Sequence, residues 1–138
     1  MLAKILEVED TASLQALEGF EFDWSVHTYP QTKIFSAQVQ GEIAGLIEFE
    51  RMSSELYNFM YLIEVSKKFR GTTVAGELLA FIAMDSFQNG FDGFVVFESK
   101  TVTYKYYIEK YGAKPLPGRR LHFDSQAAAH LIKTYLEV

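Results

Sequence analysis

Apolar and polar positions alternate along the first half of this chain and shift to a longer period in the second. Residues 2–8 alternate weakly and read as a strand. Asp10 or Thr11 is placed to cap a short helix carrying Leu14 and Leu17, with Gly19 set to stop it. Residues 20–31, aromatic and acidic with Pro30 near the end, keep no period and read as a surface loop or an irregular helix. Residues 33–39 place Phe35, Ala37 and Val39 on one side and Ser36 and Gln38 on the other, the pattern of a half-exposed strand. Gln40-Gly41-Glu42 makes a turn into a second strand over 43–50, so the two form a hairpin. Residues 57–65 are apolar at nearly every position, which predicts a strand covered on both faces.

Beyond residue 70 the spacing is helical. Val74, Leu78, Leu79, Phe81, Ile82 and Phe87 cover much of the circumference of a helix over 73–88, which makes it a largely buried one. Asn89-Gly90 ends it. A Phe- and Val-rich strand over 91–97 follows, then a helix over 101–111 stopped by Gly112, then a strand over 119–123. Asp124 or Ser125 caps a last helix bearing Ala128, Leu131, Ile132, Tyr135 and Leu136. Strands gathered first and helices interleaved later predict an α+β fold, one sheet with helices on both faces.

Composition narrows the class. The chain has 138 residues, enough for one domain with a real core. Hydrophobic residues at 49% and charged residues at 22% exclude a disordered chain. A net charge of -5 disfavours a nucleic-acid binder that relies on a broad basic surface. Cysteine is absent, which removes disulfides, thiolate nucleophiles and cysteine-ligated zinc. His27, His122 and His130 have no metal-ligand spacing, so no metal site is expected. No apolar run approaches the ~20 residues of a membrane span, and the first residues lack a signal-peptide core. A cytoplasmic protein with no nucleic-acid or membrane partner is the default expectation.

The stretch from Val65 to Leu79 carries the most chemistry. It leaves an apolar strand, passes through a basic loop containing Gly71, and enters an apolar helix opened by small residues. Bare N–H groups at a helix start, with the positive end of the helix dipole, suit a phosphate. Gly71 lets the backbone come close, Ala75 and Gly76 keep the first turn slim, and Arg70 can add a charge-assisted contact. Glu64, at the end of the preceding strand and flanked by Ile63 and Val65, is the leading candidate for a general base. Glu48 and Glu50, on one face of the strand before it, are second candidates.

This stretch resembles the acyl-CoA-binding motif of the GCN5-related N-acetyltransferase (GNAT) family. Arg70 and Gly71 match the family's Arg-Gly pair, and Val74, Ala75, Leu78 and Leu79 match its later positions. The hairpin from Val39 to Ile47 and the late run Tyr106-Tyr107-Ile108-Glu109-Lys110-Tyr111-Gly112-Ala113 resemble further family segments in the same order. The resemblance implies a single GNAT-type domain over residues 1–138 with a mixed, mostly antiparallel sheet. It implies acetyl-CoA as the cofactor and a small-molecule or peptide amine as the acceptor, attacking the thioester directly. It places the pyrophosphate on Thr72, Thr73, Val74, Ala75 and Gly76, and the pantetheine arm along Ile63 and Val65. Thr101 stands where the family often has Asn.

Three positions depart from the family pattern. Thr73 stands where glycine is typical. Ile108 occupies the position of the tyrosine that protonates the leaving thiolate. Tyr104, on the same helix face, sits where a small residue lets the pantetheine pass. Tyr104 could supply the missing hydroxyl, or its bulk could block the groove and leave a binding protein without catalysis. The apolar last helix leaves a homodimer open.

Overall fold

Each alternating segment becomes a strand, and together they build one sheet. The computed structural model describes residues 2–137; Met1 and Val138 lie outside the described residues. The strands are β1 (Lys4–Glu7), β2 (Lys33–Val39), β3 (Glu42–Met52), β4 (Tyr57–Val65), β5 (Val95–Glu98), β6 (Lys114–Pro115) and β7 (Arg120–Phe123). Their order across the sheet is β1-β2-β3-β4-β5-β7-β6. Only β4 and β5 run parallel; the other neighbours are antiparallel. The helices are α1 (Val74–Gln88), α2 (Thr101–Tyr111) and α3 (Ser125–Tyr135). This is the expected α+β fold with a mixed, mostly antiparallel sheet.

Local chemistry explains the boundaries. Gln40 and Gly41 both take positive φ, 52° and 80°, the backbone a tight hairpin turn requires. Gly112 ends α2 in the left-handed conformation at φ 78°. Asp124 caps α3 by accepting the Ala127 N–H at 2.9 Å. Lys114 and the Ala127 N–H hold the Asp124 carboxyl below its usual range.

The main core lies between the sheet and α1. Ala44, Ile47, Phe49, Met60, Val95 and Phe97 meet Val74, Leu78, Leu79 and Ile82 there. The helix approaches β3 so closely that a Cβ on Gly45 would lie 2.9 Å from both Leu78 Cδ1 and Val74 Cγ1. Both neighbours are fully buried and have no room to retreat. Gly45→Ala is therefore expected to cost about 1–3 kcal/mol, a fall in Tm of roughly 4–12 °C read by thermal denaturation.

A second, smaller core of Leu14, Trp24, Ile34 and Leu46 lies on the opposite face. Among the described residues no α-helix covers it. A single 3-10 turn, Thr11–Leu14, capped by Asp10, and the irregular segment 15–32 do so instead. The segment read as a surface loop thus buries its tryptophan, with Trp24 only 1% exposed. For the same reason β2 is not half exposed. Ile34 is covered by this segment, as Ala37 is by the main core.

Candidate active site

The sheet opens between β4 and β5. These strands pair only over Asn58–Met60 and Val95–Phe97. Beyond Met60, β4 continues to Val65 while the chain after β5 turns away into α2. On its other edge β4 carries a bulge: Met60 pairs with Phe49 and Leu62 with Glu48, which leaves Tyr61 as the extra residue. Loss of the β5 partner explains why residues 61–65 are each only half buried, against the expectation of full cover. A wedge of about 170 Å³ results. Ile63, Glu64 and Val65 of β4, Ala75 and Leu79 of α1, and Thr103, Tyr106, Tyr107 and Tyr111 of α2 line it.

The glycine loop lies at the end of β4. A 3-10 turn, Lys67–Phe69, leads to Gly71, whose φ of 81° favours glycine. Thr73 is the N-cap of α1, yet its side chain does not cap the helix. Its hydroxyl donates to Glu77 Oε2 at 2.7 Å. The Val74, Ala75 and Gly76 N–H groups, in the first turn, have no carbonyl four residues back within the helix. Val74 N–H makes a long 3.4 Å contact to Thr72 Oγ1. Arg70 is exposed beside them, whereas Lys68 is held by Glu42 at 2.9 Å. Gly76 has a different cause from the one expected. A Cβ there would stand 2.3 Å from the Tyr135 ring, so its slimness admits α3. Sequence reasoning missed Glu77, which is 1% exposed and accepts the Ala3 N–H at 2.6 Å.

The three strand carboxylates have different neighbours. Glu64 accepts the Glu21 N–H at 2.7 Å, the Phe22 N–H at 3.2 Å and the Trp24 indole N–H at 2.8 Å. A carboxylate offers about four acceptor positions, so Glu64 is largely committed to holding segment 20–24. Glu48 is fully buried. It accepts the Thr28 N–H and hydroxyl, both at 2.6 Å, and the Thr32 hydroxyl at 2.5 Å. Glu50 is half exposed and accepts the Tyr61 hydroxyl at 2.8 Å and the Gln31 amide at 3.3 Å.

The helix side of the wedge also differs from expectation. Tyr104 and Ile108 pack against the main core, and neither lines the wedge. Thr101 is exposed at the start of α2 and lies outside the lining too. On this side Tyr106, Tyr107 and Tyr111 line the wedge. Burial pushes the Tyr107 and Tyr111 hydroxyls up, Tyr111 further through a hydrogen bond to Tyr106.

On the other face of the sheet a groove of about 510 Å³ runs over β3, β4 and β5. Tyr57, Phe59 and Tyr61 form its floor, Tyr29 and Gln31 one wall, and Glu50, Glu98 and Arg120 its polar rim. Burial, then the bond to Glu50, pushes the Tyr61 hydroxyl up to about 12. The Tyr57-Phe59-Tyr61 spacing was the sequence signal for this floor, since alternate strand residues share a face. Trp24 is buried, and Glu18 lies by a separate hollow of about 760 Å³ bordered by Glu42, Lys67 and Lys68.

A split sheet with an N–H-rich loop at the split is an α+β arrangement suited to holding an anionic group. The sequence model of the acetyltransferase (GNAT) family matches residues 1–113, and the chain belongs to that family. No curated protein matches the sequence significantly. Solved structures agree on the fold. AtaTR bound with AcCoA superimposes with a TM-score of 0.67 at 14% identity, covering 95% of this chain and 98% of that one. A GNAT-family acetyltransferase from Staphylococcus aureus Mu50 gives 0.66 at 13% identity, covering 88% and 98%. Nourseothricin acetyltransferase gives 0.59 at 14%, covering 88% and 96%.

Proposed function

We propose that this chain is an N-acetyltransferase that takes acetyl-CoA and a primary amine and lets the amine attack directly. The observation that carries this reading is that β4 borders two spaces. Ile63 and Val65 line the wedge that reaches Ala75 in the first turn of α1, and Phe59 and Tyr61 floor the groove on the opposite face. Acetyl-CoA supplies an activated acetyl thioester.

The chain's own groups have separate tasks in this reading. N–H groups of the loop and first helical turn, Thr72 to Gly76, hold the pyrophosphate, with Arg70 adding charge. Ile63 and Val65 offer the backbone edge left without a β5 partner, which a pantetheine arm satisfies as an added strand. An amine is protonated at neutral pH and must lose that proton before attack. Glu50 takes this role in place of Glu64, because it opens onto the groove and holds two donors, whereas Glu64 borders the wedge and holds three N–H donors. Tyr106 takes the acid role in place of Tyr104, because its side of α2 faces the wedge.

Calorimetric titration with acetyl-CoA tests the cofactor reading. Ala75→Asp places a negative charge at the helix start and in the wedge, where Asp suits the helix but opposes a phosphate. It is expected to weaken binding at least about tenfold while leaving Tm unchanged. No heat with the unmodified chain at millimolar acetyl-CoA would sink the proposal. Binding without turnover over a panel of primary amines would instead favour a binding protein that has kept the cradle and lost catalysis.

A further inference from the structure

The groove on the second face already contains a cation. The Arg120 guanidinium lies over the Phe59 ring with 5.3 Å between its carbon and the ring centroid. Its Nε is 3.8 Å from Glu98 Oε1 on the neighbouring strand. A cation held between an aromatic face and a carboxylate is the arrangement that recognises ammonium and guanidinium groups. The aromatic surface continues from there. Phe59 meets Tyr61 at 4.9 Å between centroids, and Tyr61 meets Tyr29 at 5.3 Å.

Arg120 is not fastened in this seat. Its side chain is 46% exposed and that of Glu98 67% exposed. Exposed pairs of this kind contribute little, because water competes for both partners. Arg120 and Glu98 also face each other across β5 and β7, so the carboxylate stays in place when the arginine swings out. With Arg120 gone, the groove shows two carboxylates, Glu50 and Glu98, beside a wall of rings.

We infer that the acceptor is a small amine carrying a second cationic centre, guanidinium or ammonium, and that Arg120 occupies the seat of that centre until the acceptor displaces it. The inference rests on the acetyltransferase reading of the site and names its acceptor class. The reacting amine reaches toward Glu50 and Tyr61, where β4 parts from β5, while the second cation takes the Phe59–Glu98 seat. Phe59 and Glu98 are thus specificity-determining residues, and Arg120 is an internal competitor.

The contrary reading is that Arg120 binds an anionic acceptor. The two predict opposite signs for one substitution. Agmatine, an amine and a guanidinium joined by a short alkyl chain, is titrated into the full chain by calorimetry with no acetyl-CoA present. Butylamine, with the same amine and no second cation, is the comparison. Agmatine is expected to bind at least about tenfold tighter than butylamine. Arg120→Ala should tighten agmatine binding by roughly threefold to tenfold, and Glu98→Gln should weaken it about tenfold. Both positions are exposed, and unchanged Tm values would show that the variants fold. Weaker or unaltered binding in Arg120→Ala, equal binding of the two amines, or no agmatine binding at all would overturn the inference. Acetyl-CoA binding is measured separately, so the cofactor reading and the acceptor reading fail independently.

Discussion

Tyr106→Phe is expected to lower kcat about a hundredfold or more, while the KM for acetyl-CoA moves by less than about threefold. The hydroxyl is the only group removed, and the ring keeps its place in the wedge wall. Three tyrosines line that wall, but two of them hold their protons more tightly through burial, Tyr107 and Tyr111. Tyr106 is the half-exposed member, at 50%. Protonation of the departing thiolate requires a donor present in the wedge and able to regain its proton from solvent, and Tyr106 meets both conditions. Tyr104→Phe is the control. Tyr104 packs on the core outside the wedge, so its loss of a hydroxyl should leave kcat within about twofold. Steady-state rates with a primary amine at saturating acetyl-CoA separate the two. If Tyr104→Phe collapses turnover and Tyr106→Phe does not, the helix acts through the other face.

The largest expected effect on stability is at Glu48. Its carboxylate is fully buried and accepts the Thr28 N–H, the Thr28 hydroxyl and the Thr32 hydroxyl, with the His27 ring 4.0 Å away. Glu48→Ala leaves three donors facing an apolar hole. Stranded donors cost roughly 1–3 kcal/mol each, less what relaxation and entering water restore, so a total of roughly 3–5 kcal/mol is expected. Urea denaturation should show the midpoint falling with little change in slope. Glu48→Gln keeps one acceptor oxygen and should fall between. Amide exchange offers a second reading: residues 27–32 should lose protection first, since their anchor lies on the sheet. A Glu48→Ala chain as stable as the parent would mean that Glu64 and the packing of Trp24 and Leu14 hold the segment without Glu48.

Most elements were legible because their signals are local. The alternation of β2, the Asp124 cap and the Gly112 stop all act within a few residues, and each falls where the sequence placed it. Residues 20–32 were not legible in the same way. Their shape is set by carboxylates on distant strands, Glu64 some 40 residues away from Trp24 and Glu48 some 20 from Thr28. No periodicity records such partners. The site shows the same division. Gly71, Ala75 and the β4 edge come from one continuous run and could be read together. Which tyrosine of α2 faces the wedge depends on how the helix is rotated against β4 and α1. Reading Ile108 and Tyr104 by family position pointed to a face of the helix other than the one that lines this wedge. The groove floor was visible only as an alternation of aromatics, and its rim joins Glu50, Glu98 and Arg120 from three strands.

Glu48 and Glu64 give the second face a modular construction. The cover of that face hangs from two hooks on the sheet and touches the loop after β4 through the Lys67 N–H bond to the Gly19 carbonyl. Between the hooks the chain passes through Ser25 and Val26, the latter 61% exposed. Variation there changes neither the hooks nor the sheet beneath. The cover of this face can therefore diverge, by lengthening or exchanging one short span of chain, while β3, β4 and α1 beneath it stay fixed.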